Sequence, residues 1–232
     1  MTVEKKISGL WVTNDRTELI ATIVLAVATI LTAWSGFESG KWGGEQSVNF
    51  SEAGAARTES TRADTLGGQL AQIDVAMYID WVTALSDELA TGAVTEASLS
   101  PYTPTDGTVS GFLYARFRDE FLPAVDAWLA TEPIVNDAAP KTPFEMEEYV
   151  IAQLVEAKRL TAVADQKADD ARTANQNGDN YVLTMVLFAS VLFFAGVSSK
   201  MNRPRNRVTV LGFGIATLTV GLVILASLPI LV

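Results

Sequence analysis

Residues 19–37 read LIATIVLAVATILTAWSGF, bounded by Glu18 and Glu38 and free of charge between them. At a rise of about 1.5 Å per residue, such a stretch crosses the roughly 30 Å hydrocarbon core of a bilayer as one helix. A helix is the form required there, because lipid offers no partner to backbone N–H and C=O groups. Two further stretches qualify, residues 181–199 (YVLTMVLFASVLFFAGVSS) and residues 208–232. Three spans are expected, and they localise the apolar excess of a chain that is 49% hydrophobic and 19% charged. The first reads as an uncleaved anchor rather than an export signal. Its apolar run exceeds the usual length, no A-x-A site follows, and Trp34 and Trp42 sit where an interfacial aromatic belt belongs.

The basic residues orient the chain. Residues 200–207, KMNRPRNR, carry Lys200, Arg203, Arg205 and Arg207 without an acid, whereas Glu38 to Asp179 hold 24 acidic and 10 basic residues. By the positive-inside rule the short loop is cytoplasmic and the long acidic segment is outside; Lys5, Lys6 and Arg16 place the N-terminus inside. The expected organisation is a cytoplasmic N-terminus at 1–18, a span at 19–37, an extracytoplasmic helical domain at 38–180, a span at 181–199, a basic cytoplasmic loop at 200–207 and a span at 208–232. The net charge of −10 belongs to the outer domain, and a surface of that sign repels phosphates, which excludes nucleic acid as a partner.

Within the outer segment, Ala53, Ala56, Ala63, Leu66, Leu70, Ile73, Met77 and Trp81 recur at steps of three and four from Glu38 to about Ala90, a helical pattern. Residues 91–110 gather Gly92, Pro101, Pro104 and Gly107 and read as a loop. A short amphipathic helix is expected from Gly111 to Thr131, with a kink at Pro123. Beyond Pro133, Pro140 and Pro143, a long Ala-rich helix is expected from Phe144 to Asn177. No stretch alternates with period two, so no sheet is assigned. The expected fold is an all-α integral membrane protein: three transmembrane helices, with a long antiparallel helical hairpin and a short capping helix outside. If the spans end near Phe37 and Asn180, residues at equal height on the two long helices have numbers adding to about 217. That register sets Ala53 against Ala164, Ala63 against Leu154, Glu45 against Arg172 and Glu59 against Arg159. Gly67 and Gly68 are the one place where the outgoing helix is expected to break, if it breaks.

Gly36, Gly40 and Gly44 repeat every four residues at the exit of the first span, a spacing that lets another helix approach closely. With Ala53, Ala63 and Ala164 they are the expected helix-packing positions, seated within the chain, with an oligomer seam as the alternative. Arg116 and Arg118, beside Tyr114, Phe117 and Trp128, form the outer segment's basic and aromatic cluster and its candidate partner surface; Asp119 and Glu120 adjoin them, so ordinary ion pairing is the competing account. Asn49-Phe50-Ser51 matches a glycosylation sequon. The acids Glu145, Glu147, Glu148, Asp169 and Asp170 follow no calcium-loop pattern and suit solvated helix faces.

The segments AWSGFESGKWGGEQS (33–47), RTESTRAD (57–64) and DNYVLTMVLFASVLFFAG (179–196) resemble those of uncharacterised bacterial membrane proteins with one N-terminal and two C-terminal spans. The resemblance implies a bacterial inner-membrane setting and carries over no functional residue.

The chain holds neither cysteine nor histidine, which removes disulfides, thiolate zinc sites, Cys nucleophiles and His general bases. With no hydrolase, P-loop or metal motif, no catalytic residue, cofactor or metal is expected. The functional expectation is a non-enzymatic membrane-anchored helical scaffold that binds a protein partner or self-associates through its outer helices. The alternative is a subunit of an oligomeric channel or transport complex, for which uncharged spans permit a hydrophobic gate but offer no selectivity residues.

Overall fold

The computed structural model describes residues 2–96, 99 and 102–231, with side chains from Arg16 onward. The side chains of Lys5 and Lys6, together with Pro101 and Val232, lie outside the described residues. The elements in chain order are α1 (Thr2–Thr91), α2 (Val109–Tyr114), α3 (Leu122–Leu129), a 3-10 turn at Pro143–Glu145, α4 (Ala152–Lys200) and α5 (Pro204–Ser227). The fold is all-helical, and no strand forms among the described residues. Three of the helices, α1, α4 and α5, are long and apolar enough to cross a membrane, as in a multi-pass membrane protein. The chain divides into two compact units, Met1–Ala53 with Asp165–Val232, and Gly54–Ala164.

In the first unit, α1 stays helical through its Thr-containing apolar stretch because the hydroxyls bond back along the helix. Thr29 Oγ1 donates to Leu25 O at 2.8 Å and Thr32 Oγ1 to Ala28 O at 2.7 Å, leaving no polar hydrogen to be solvated. Val24 and Ala28 pack with Val191 and Ala195 of α4, and Leu218 of α5 lies against the same cluster. Small residues permit close contact. A Cβ on Gly214 would sit 3.3 Å from Phe194 Cβ, and one on Gly221 only 2.7 Å from the Phe188 ring, so α5 is seated on α4 through glycines that differ from the 36–44 series. Glu38 is buried and its Oε2 accepts Leu231 N–H at 3.1 Å, while the Tyr181 hydroxyl donates to Pro229 O at 3.0 Å. Thr184 Oγ1 lies 3.0 Å from Ser35 Oγ, and Lys167 Nζ reaches Glu52 at 2.6 Å.

The second unit also brings α1 and α4 together. Ser60 Oγ donates to Ala157 O at 2.8 Å and lies 2.8 Å from Thr161 Oγ1, and a Cβ on Gly67 would come within 2.5 Å of Leu154 Cδ2. The ion pairs differ from the expected cross-helix set. Glu59 binds Arg62 at 2.8 Å, Arg159 binds Glu156 at 2.7 Å, and Arg172 binds Asp169, each three residues away on its own helix. The i,i+3 partner is always within reach of a solvated side chain, whereas a cross-helix partner must be reached over the seam.

α1 runs unbroken through Gly67 and Gly68 to Thr91, close to the Ala90 expected. Two boundaries depart from expectation. The single short helix expected at 111–131 is two, α2 and α3, and α3 starts next to Pro123, which occupies its first turn because a proline N–H is not missed there. The returning helix begins at Ala152 rather than Phe144, since Met146 is extended (ψ 146°) and Phe144, Met146 and Tyr149 are drawn into the aromatic core. α5 begins at Pro204, with the proline in its first turn.

Candidate interaction surface

The second unit holds a core of unusually aromatic make-up. Tyr78, Trp81 and Leu85 from α1, Phe117 and Phe121 from the link between α2 and α3, and Val125, Trp128 and Leu129 of α3 are all buried together. Their rings meet mostly edge to face: Tyr78 with Trp128 at 5.8 Å, Trp81 with Phe117 at 5.8 Å, Phe117 with Phe121 at 5.1 Å. Trp128 Nε1 donates to Pro140 O at 2.7 Å, which satisfies its polar edge. Glu88 accepts Val109 N–H at 2.7 Å, so a carboxylate from α1 terminates α2 where its first N–H groups lack intrahelical partners.

One ionic group is enclosed here. Asp74 is 1% exposed, and Arg118 holds it with two bonds, Nε to Oδ1 at 2.9 Å and Nη2 to Oδ2 at 2.8 Å. Tyr149 O–H donates to the same carboxylate at 3.2 Å, and Glu120 takes the remaining side of Arg118 at 2.7 Å. Its hydrogen bond to Asp74 holds the Arg118 guanidinium charged beyond its ordinary range. Burial first, and Asp74 second, push the Tyr149 hydroxyl up to about 12. A buried carboxylate with paired donors is stable; one stripped of its guanidinium is not.

Of the expected partner surface, Phe117 and Trp128 are core, and Arg118 is taken up by Asp74 and Glu120. Tyr114 donates to Asp126, and Arg116 stacks on Phe112 with its Cζ 3.3 Å from the ring centroid. Ordinary ion pairing, the competing account, describes Arg118, which binds Asp74 and the adjacent Glu120. In the glycine series, a Cβ on Gly36 would touch Met185 Sδ at 3.5 Å, and at Gly40 and Gly44 it would meet nothing within 4 Å. Ala53 and Ala164 are buried and Ala63 is half-buried, each within its own unit. Asn49 of the sequon is buried, its amide donating to Glu45 and its oxygen accepting from Lys167.

An open cleft of about 310 Å³ is lined by Leu99, Leu129, Pro133, Ile134 and Val135, with Glu96 and Glu132 among its walls. Val135 is 73% exposed. Its sequence signal was the apolar Ile134-Val135 pair inside a Pro-marked link, a place where burial gives no reason for two β-branched residues. Among the described residues, no group of three or more acidic side chains converges as a metal would require. Compared with protein-family models, with curated proteins and with solved structures, the chain matches none.

Proposed function

We propose that the chain is a non-enzymatic, membrane-anchored helical scaffold of a bacterial inner membrane, with residues 38–180 outside and with α1 and α4 forming an antiparallel hairpin. The head at its outer part binds a protein partner or a second copy of the chain. The observation that carries this reading is the continuity of α1: one helix holds the apolar stretch 19–37 and also supplies Tyr78, Trp81 and Leu85 to the aromatic core. The stretch proposed to span the membrane and residues that build the aromatic core thus belong to one helix. The descending pairs between α1 and α4 support the hairpin, and the apolar cleft at Ile134 and Val135 supports contact with a partner.

Oligomeric state in mild detergent, with crosslinking from the native membrane, tests it. A monomer or dimer, with a photo-crosslinker at Val135 capturing one discrete protein or a second copy, agrees with the scaffold. A closed ring of four or more copies with no capture at Val135 favours the channel subunit instead.

A further inference from the structure

We propose that the inner corner between α4 and α5 is a binding site for the phosphate of an anionic phospholipid. The inference rests on the spanning arrangement proposed above and names a partner for it. Lys200, Arg203 and Arg205 fall within six residues around the turn from α4 into α5, with no acid among them, and their side chains are exposed. Arg207 is buried and its guanidinium lies 3.8 Å from Glu18, which brings the start of the apolar part of α1 beside the start of α5. Glu18 is the acid of this group and it faces Arg207, so the remaining cations keep an excess of positive charge.

Two other features suit a lipid rather than a soluble anion. The N-cap of α5 is Arg203, with no side-chain hydrogen bond to the helix and Pro204 in the first turn, so the N–H groups that follow turn toward the corner without a capping acceptor. Directly beyond the cations, Leu19 and Ile23 on α1 and Val208 on α5 are exposed apolar side chains. A phosphate beside arginines with hydrocarbon alongside is the chemistry of a phospholipid, and anionic headgroups are drawn to basic segments flanking a span with roughly fivefold in affinity per cation.

The test uses the purified full-length chain in a neutral detergent, titrated with phosphatidylglycerol or phosphatidylcholine and followed by native mass spectrometry. Phosphatidylglycerol should stay bound where phosphatidylcholine is stripped. The R203Q/R205Q variant should hold it roughly 30-fold less tightly, and R203K/R205K should retain it, since charge is kept. Equal retention of the two lipids, undiminished binding by R203Q/R205Q, or displacement by an equal concentration of inorganic phosphate would overturn the proposal, the last by making this a site for any anion. If R203Q/R205Q fails to accumulate, the comparison of headgroups on the unaltered chain decides. Alkaline extraction of native membranes separates the two levels: release of the chain ends the spanning arrangement itself, whereas a retained chain without lipid preference ends only the lipid site.

Discussion

At the scale of single residues, Gly67 and Gly68 are neighbours with opposite surroundings. A Cβ at Gly67 would come 2.5 Å from Leu154 Cδ2 and 3.2 Å from the Leu154 backbone nitrogen, whereas at Gly68 it would meet nothing within 4 Å. Both lie inside α1, where glycine costs about 1 kcal/mol relative to alanine. Gly68→Ala should therefore raise stability by up to about 1 kcal/mol. Gly67→Ala should lower it by about 1–3 kcal/mol, as overpacking against a backbone atom outweighs the propensity gain. Thermal melts of the two variants in detergent check the pair; equal shifts would refute the close approach. The Asp74 group makes a prediction about alkali. Tyr149, Tyr114 and Tyr78 all ionise less readily in the fold than their ordinary value of 10, chiefly through burial. The folded state thus favours the neutral phenol, its benefit is complete below pH 10, and it is lost as pH rises toward and beyond 12. Melting temperature should fall across that window, and Tyr149→Phe should fall less steeply, because the phenol that must ionise beside Asp74 is gone.

At the scale of elements, the glycines of α1 divide into those that seat a neighbour and those that do not. Gly40 and Gly44 face open space within the chain, on the exposed side of α1 that also presents Phe37 and Val48. Gly40→Leu should consequently leave the stability of the monomer within about 0.5 kcal/mol of the parent, as for surface changes in general. Any effect should be on self-association, read by analytical ultracentrifugation in detergent. Loss of monomer stability would show that this face is packed. The pairing of α1 with α4 has its own test. Ser60 Oγ and Thr161 Oγ1 lie 2.8 Å apart, near enough for sulfur atoms at the same sites to bond after a small adjustment. Since the chain has no cysteine, S60C/T161C gives a clean background. Mild oxidation should produce an intrachain crosslink, seen as faster migration on a non-reducing gel; crosslinks only between chains would overturn the hairpin.

For the whole molecule, the distribution of charge makes the decisive prediction. Lys200, Arg203, Arg205 and Arg207 surround the turn between α4 and α5, and acids dominate from Glu38 to Asp179. A reporter active only in the cytoplasm should give signal when fused at Arg205 and none when fused after Ser227, the last residue of α5. Signal at both sites would mean that α5 does not cross.

The three apolar helices and the absence of sheet in the described residues were legible in the sequence, because each depends on a local property. An uncharged run has one stable form in lipid, and residue spacing of three and four has one regular form in water. What the sequence left open is which of several possible neighbours each side chain takes. Phe117 and Trp128 looked like a surface and are a core; Arg118 had Asp119 and Glu120 adjacent in sequence, yet its strongest partner is Asp74, 44 residues away. Gly221 lies against the Phe188 ring, while Gly40 and Gly44 looked like a seam and would present a Cβ to nothing within 4 Å in the chain. Spacing along a helix states which residues share a face, but only the folded chain states what that face meets, since desolvation and close contact are summed over every element that arrives there.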